Sequence, residues 1–235
     1  MPKIAQLLSQ LVFPDDCTCK ACGKEALVNE YYLCEACMKD LVFIGEACPK
    51  CGKPKLKAKK CDDCKQTVHI FNKCVSVCEY DGTAEVLIKK LKYANQRHIA
   101  LTIAKLMSAK LAGLNWKPDM IIPVPMHKKA QRRRGFNQAE LLARTIADMC
   151  NVDMMRALVK TKETPPQAGL DRKGRLKNLR GSFSMDASYD VTGKSVVIID
   201  DVFTTGATAD ACAEVLYAAG AKNVNVFTFL TGRYS

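Results

Sequence analysis

The chain has 235 residues, 48% of them hydrophobic and 26% charged, which is enough apolar material to bury a core and excludes wholesale disorder. Lys and Arg number 36 against 24 Asp and Glu, a net charge of +12 that favours polyanionic partners. No apolar run reaches the ~18 residues of a membrane span. The opening Met-Pro-Lys-Ile-Ala-Gln carries neither the apolar stretch nor the cleavage pattern of a secretory leader, so a cytoplasmic protein is expected. Thirteen cysteines, an odd number without signs of export, argue for metal and buried thiols over a disulfide framework.

Eleven of the cysteines lie between Cys17 and Cys78. Cys19/Cys22, Cys34/Cys37, Cys48/Cys51 and Cys61/Cys64 are four Cys-x-x-Cys pairs, separated by eleven, ten and nine residues. Two residues between thiols let both sulfurs face one ion, and two pairs complete a tetrahedron of soft ligands. The spacing leaves sequential and interleaved pairing open. Two structural Zn²⁺ ions are expected, with Cys19/Cys22/Cys34/Cys37 and Cys48/Cys51/Cys61/Cys64 as the sets. A closed four-cysteine site keeps no open coordination position, so its role is folding and presentation of a surface, not catalysis. Cys17 is the expected spare, and Cys74 and Cys78 read as buried thiols on a strand. Lys53-Pro-Lys-Leu-Lys-Ala-Lys-Lys60 is either a solvated loop or a phosphate-contacting finger.

The composition changes near residues 70–75, so a zinc-binding module at 1–73 and an α/β domain at 74–235 are expected. The spacing predicts a strand at Val75–Tyr80, helices over Thr83–Lys92 and Ile99–Gly113, and a buried strand from Met120 ended by Pro123 and Pro125. A helix over Gln138–Cys150, a strand at Ser195–Ile199, a helix over Thr208–Ala219 closed by Gly220, and a strand at Val224–Leu230 follow. Strand, helix and strand in that last stretch make a crossover and thus a parallel sheet.

Val196-Val-Ile-Ile-Asp200-Asp201-Val-Phe-Thr204-Thr205-Gly206-Ala207-Thr208 carries the most information. An apolar strand brings two carboxylates to its carboxyl end, and a Thr/Gly loop then opens a helix. Ligands bind at that end of open α/β sheets, and a helix N-terminus offers amides and a favourable dipole to phosphate. Gly206 permits close backbone approach, and Thr204, Thr205 and Thr208 add hydroxyls. The two acids suit ribose hydroxyls, directly or through Mg²⁺. The plain alternative is a capped helix following a turn.

This stretch resembles the 5-phosphoribosyl 1-pyrophosphate (PRPP) motif of type I phosphoribosyltransferases. Three more segments narrow the match: Pro123-Val-Pro-Met-His-Lys-Lys, Arg134-Gly-Phe-Asn-Gln138, and Pro166-Gln-Ala-Gly-Leu170 with Arg175 and Asn178. With the cysteine-rich front, the chain resembles the ComF/GntX family of competence-associated, phosphoribosyltransferase-like proteins. The resemblance implies a type I phosphoribosyltransferase-like parallel sheet flanked by helices, preceded by a small zinc-ribbon-like module. It implies that Asp200 and Asp201 hold the ribose hydroxyls, that Thr204 to Thr208, Ala207 included, cradle the 5′-phosphate, and that Val124 ends the strand presenting the pyrophosphate loop. The segment from Thr164 to Gly181 would be a flap fixed by Gln167 and Asn178. Arg134 and Arg175 are chosen by charge for pyrophosphate or nucleic-acid phosphate, with Arg175 grouped with Asp200 and Asp201 as the catalytic set. Asn137 and Gln138 would fix the arginine-rich turn. His127, beside Lys128 and Lys129, lines a phosphate or merely the surface.

The basic runs Lys128–Arg134 and Asp171–Arg180 exceed what one pyrophosphate needs, and a groove for single-stranded DNA fits them, with Phe136 available to stack on a base. The expected role is therefore a competence protein that binds PRPP-like phosphates and handles single-stranded DNA during natural transformation. The alternative is an active transferase passing the phosphoribosyl group to a base or amine with release of pyrophosphate, through an oxocarbenium-like transition state that Mg²⁺ and cations stabilise. A helicase-like competence partner follows from the resemblance alone.

Overall fold

Valine, isoleucine and phenylalanine fill the two strands at the centre of the fold, which are covered on both faces as parallel strands must be. The computed structural model describes residues 18–54, 61–93, 96–163, 179 and 181–232. Among the described residues the front contributes two short helices, α1 (Glu35–Lys39) and α2 (Asp62–Gln66), each beginning directly after a cysteine. Then follow β1 (Lys73–Glu79), α3 (Gly82–Leu91), α4 (Ile99–Ala112), β2 (Met120–Pro123), α5 (Lys128–Arg134) and α6 (Gln138–Cys150). The remainder is β3 (Asp153–Met154), β4 (Leu158–Lys160), β5 (Phe183–Met185), β6 (Ser195–Phe203), α7 (Ala207–Ala218) and β7 (Asn223–Thr231).

The main sheet has the order β1-β7-β6-β2-β3 and every pairing in it is parallel. The expected α/β class with a parallel sheet flanked by helices is thus observed. Strand β6 is four residues longer than its apolar run predicts. Strand β7 runs on beside it, pairing Asp200 with Thr228 and Phe203 with Thr231, whereas β2 has already ended at the Pro123–Ile199 pair. The two carboxylates therefore lie inside a strand, beyond the point where its other neighbour stops. Strands β3 to β5 are two or three residues long, too short for any periodicity to announce them. The basic run read as a turn is the helix α5, ended by Gly135 at φ +84°.

Two cores lie on the two faces of this sheet. One gathers Leu87, Ile103, Met107, Leu142 and Ile146 from α3, α4 and α6, together with Cys19, Ala21, Leu33 and Leu41 of the front. The other gathers Cys212, Ala213 and Leu216 of α7 with Cys48, Cys51, Cys61 and Phe71. The front thus straddles the β1 edge, with one cysteine cluster on each side. The Ile44 amide donates to Val77 O at 3.0 Å, Glu79 N to Val42 O at 2.9 Å, and Cys74 N to Lys50 O at 2.8 Å. These bonds cover backbone that would otherwise be an open strand edge. Asp40 caps α3 from the front, accepting from Thr83 N at 2.7 Å and Thr83 Oγ1 at 2.9 Å. Lys105 and Lys110 of α4 donate to the carbonyls of Glu30 and Ile44.

Within each cluster, Cys19/Cys22/Cys34/Cys37 and Cys48/Cys51/Cys61/Cys64, the sulfurs all lie within 4.8 Å of one another. Pairing is sequential, and both clusters fit a structural zinc ion. Burial resists ionisation of Cys19 and Cys48, yet backbone amides aimed at each sulfur bring both down to about 6, which suits thiolate ligands. Cys74 and Cys78 are buried free thiols, pushed up by desolvation, Cys78 to about 12.

Because the front closes both cores, elemental analysis should give two zinc ions per chain, and a chelator should lower one cooperative thermal transition of the whole chain. A ribbon melting separately at lower temperature would contradict the shared cores. Leu33 is fully buried against the first core, so Leu33→Ala should cost about 2–5 kcal/mol and depress that same transition in calorimetry.

Candidate phosphate and ribose site

The site lies where β6 outruns β2. After the Pro123–Ile199 pair the chain leaves the sheet, and the Val124 amide makes one last bond to Ile199 O at 2.9 Å. Asn137 then ties this exit down. Its Nδ2 donates to Val124 O at 3.0 Å while its Oδ1 accepts from Ala139 N at 3.1 Å, capping α6. One buried amide thus positions both the loop after β2 and the first turn of α6. The next residue, Gln138, accepts from Arg134 Nη1 at 2.6 Å and donates to Asp201 Oδ2 at 3.4 Å. Arg134, Gln138 and Asp201 form one polar chain reaching from the basic helix to the acidic pair.

Asp200 and Asp201 share a backbone contact, the Asp201 amide donating to Asp200 Oδ1 at 2.9 Å. Desolvation first, and then the adjacent Asp201 charge, hold the Asp200 carboxyl well above the usual carboxylate range; Lys92 pulls it the other way. Lys92, at the C-terminal end of α3, was not expected here, because a lysine in a helix tail reads as ordinary dipole compensation. Lys160 of β4 also faces this region. Burial lowers its pKa, and the charges of Cys212 and Asp200 partly restore it.

Beyond Phe203 the loop turns into α7 through Gly206, at φ +82°. No side chain caps this helix, apart from a marginal 3.5 Å approach of Ala207 N to Thr205 Oγ1. The helix start thus takes no cap from Gly206 itself, and Thr205 makes the one weak side-chain bond seen to its first amide. Val124, Asp200, Val202, Phe203, Thr204, Gly206, Ala207 and Thr208 line one open, shallow cleft. The structure thus brings Val124, Asp200 and the loop around Thr204–Thr208 together, with Asp201 bound to Gln138 at its flank. Arg134 lies with Lys92 and Arg133 on a second open cleft. Arg175, Gln167 and Asn178, with most of the expected flap, lie outside the described residues.

Three expectations about the basic surface need correction. Phe136 is only 8% exposed and its ring is covered by the Arg97 guanidinium at 4.9 Å, so it is not presented for stacking on a base. Lys53 is buried and ion-paired with Asp63, so it is a structural cation and no part of an exposed finger; residues 55–60 lie outside the described residues. Arg133 and Lys129 are both paired with Glu163, at 3.0 and 3.3 Å, which neutralises part of the run on α5. His127 accepts weakly from Lys129 N at 3.4 Å at the start of α5, a capping position.

The Asp200 shift has a consequence for stability. A carboxyl whose folded pKa is raised binds more protons folded than unfolded, so stability is lost as pH rises above the ordinary carboxylate range. Asp200→Asn should therefore raise the ligand-free melting temperature near neutral pH by about 2–4 °C per kcal/mol recovered. That gain should shrink to nothing towards pH 4, as read by calorimetry across pH.

Comparison with known proteins agrees with this architecture. The phosphoribosyl transferase domain family matches residues 91–234, and the double zinc ribbon domain family matches residues 8–65. The DNA utilization protein YhgH of Escherichia coli K12 is 30% identical over 218 residues, 89% of this chain and 94% of its own. Competence protein F of Haemophilus influenzae is 30% identical over 217 residues, with the same coverage. Competence protein ComFC of Bacillus subtilis is 26% identical over 240 residues, 97% of this chain and 95% of its own. Among solved structures, the allosteric regulatory enzyme of purine biosynthesis is 20% identical at a TM-score of 0.40, covering 55% of this chain. The chain spans about a quarter of that enzyme, 26%. Adenine phosphoribosyltransferase of Saccharomyces cerevisiae is 18% identical at a TM-score of 0.38, with 59% of this chain and 70% of that one covered. The chain belongs to the phosphoribosyl transferase domain family, with a double zinc ribbon in front, and is a homologue of competence protein F, ComFC and YhgH.

Proposed function

We propose that the cleft at Asp200 and Thr208 binds PRPP or a similar phosphoribosyl ligand with Mg²⁺, and that the chain handles single-stranded DNA in the cytoplasm of a competent bacterium. In this reading residues 1–73 are the zinc-binding module and 74–235 the phosphoribosyltransferase-like domain. Asp200 and Asp201 address the ribose hydroxyls, Thr204 to Thr208 receive the 5′-phosphate, and Arg134 with Arg175 attracts the pyrophosphate or a nucleic-acid backbone. The observation that carries the reading is the pairing of a carboxyl held in an unfavourable environment with a helix N-terminus opened by a glycine along one cleft. A protein tolerates such an arrangement where a ligand relieves it. Its relatives competence protein F and the DNA utilization protein YhgH support the link to competence and DNA use.

The same cleft is what a transferase needs, since cations and Mg²⁺ around a leaving pyrophosphate would stabilise an oxocarbenium-like transition state. Incubation with PRPP, Mg²⁺ and a panel of nucleobases separates the two roles. Pyrophosphate release supports the transferase, and saturable PRPP binding without turnover supports the DNA-handling role.

Calorimetric titration should show Mg²⁺-dependent PRPP binding that Asp200→Asn with Asp201→Asn abolishes; unchanged binding by that double variant would remove the acidic pair from the site. Affinity for single-stranded DNA should fall steeply with salt, with a log–log slope near −0.7 per phosphate neutralised. A flat salt titration would count against a DNA-handling role.

A further inference from the structure

We propose that His69 and Asp210 form a latch through which the second four-cysteine cluster sets the conformation of the phosphate loop, so that metal in the ribbon and ligand in the cleft are coupled. The proposal rests on the reading of Gly206–Thr208 as the phosphate cradle.

The argument begins with a buried charge. Asp210 lies in the first turn of α7 and its side chain is 8% exposed. A carboxylate that deep needs partners. Both of those seen come from one linker of the ribbon: His69 Nδ1–H donates to Oδ2 at 2.8 Å and the Ile70 amide donates to Oδ1 at 2.7 Å. The helix that opens the cleft is therefore bolted at its first turn to residues 69–70.

The same histidine touches the loop itself. A Cβ on Gly206 would meet His69 Cε1 at 2.6 Å, His69 Nδ1 at 2.9 Å and Phe203 Cζ at 2.9 Å. The imidazole thus fills the space beneath the loop, and the left-handed Gly206 turn is closed over it. If the ring moved, the floor of the loop would go with it.

On its other side His69 is held by the second ribbon cluster. Phe71 stacks on the imidazole with ring centroids 4.7 Å apart, and Phe203 packs edge-on against both rings. The Phe71 carbonyl accepts from Lys50 Nζ, and that ammonium lies over the Phe71 ring, 5.4 Å from its centroid. Lys50 sits between Cys48 and Cys51, and its own carbonyl accepts from Cys74 N at the start of β1. The two cysteines of the knuckle turn are thus the ligands, and Lys50, one of the two residues between them, grips the linker. Every step from the Cys48/Cys51 sulfurs to the Gly206 backbone is a direct contact. Among the described residues the first cluster faces away from the loop, with Cys19, Cys34 and Cys37 packed into the opposite core.

Hydrogen–deuterium exchange on the full zinc-loaded chain tests the latch without relying on activity. Amides of residues 204–210 should exchange faster by about tenfold or more, the worth of one hydrogen bond to a charged group, in His69→Ala and in Lys50→Met. Both variants should still hold two zinc ions, since neither removes a cysteine and Lys50→Met leaves the backbone amide at Cys48 in place. His69→Asn, which keeps a donor where Nδ1 stood, should restore most of the protection; a purely space-filling role for the ring would not allow that rescue. Cys64→Ser should speed the loop and Cys37→Ser should not, with β7 amides reporting that the sheet stays folded. Loop exchange unchanged in both His69→Ala and Lys50→Met would overturn the latch, as would equal effects from the two cysteine variants. Titration with ribose 5-phosphate on the same variants separates the two claims. Faster loop exchange with unchanged affinity would keep the latch and remove the phosphate cradle, whereas a parallel loss of affinity supports both.

Discussion

The constraint on which this molecule depends is that its sheet cannot close either core by itself. Strand β1 is an edge strand, and an exposed edge with apolar faces on both sides is an aggregation hazard. The ribbon meets that need by wrapping the edge, giving one cysteine cluster to each core and several backbone bonds to β1. The dependence runs both ways. Leu33 and Leu41 of the front are buried in a core shared with residues of helices α3 and α4. Metal and domain together do what a small apolar core does elsewhere.

Closing the fold in this way also decides where the site stands. The linker leaving the second cluster must return to the start of β1, and it passes under α7 on the way. His69 and Phe71 are buried there between the ribbon and Phe203, while the Ile70 side chain is exposed. The floor of the loop is therefore made of linker, while its rim is made of β6 and of the loop after β2. Asn137 fixes that rim with a single amide, and Gln138 carries the polar chain from Arg134 to Asp201.

Charge is arranged less simply than a total of +12 suggests. Glu163 answers Lys129 and Arg133, its carboxyl held below the usual range by Arg133 and then Lys129. Lys53 answers Asp63 inside the ribbon, and three lysines of α3 and α4 are engaged with ribbon carbonyls. Part of the basic composition is thus structural, holding two halves together. What remains near the cleft includes Lys92 and Arg134, which bracket the second cleft beside Met126.

Much of this was readable before any coordinates. Spacing alone marked the metal clusters, since two residues between thiols is a local geometric rule that tertiary structure does not alter. The apolar run into Asp200 and the glycine opening α7 are equally local, so the sheet, its parallel sense and the cleft-lining loop were all in reach. What the chain order could not disclose is what depends on distant partners. Strand β6 extends to Phe203 with β7 as its partner, and Phe136 is buried with the Arg97 guanidinium over its ring. His69 and Asp210 are 141 positions apart, and neither carries a motif. A buried charge acquires its meaning from the group it meets, and only the folded chain determines which group that is.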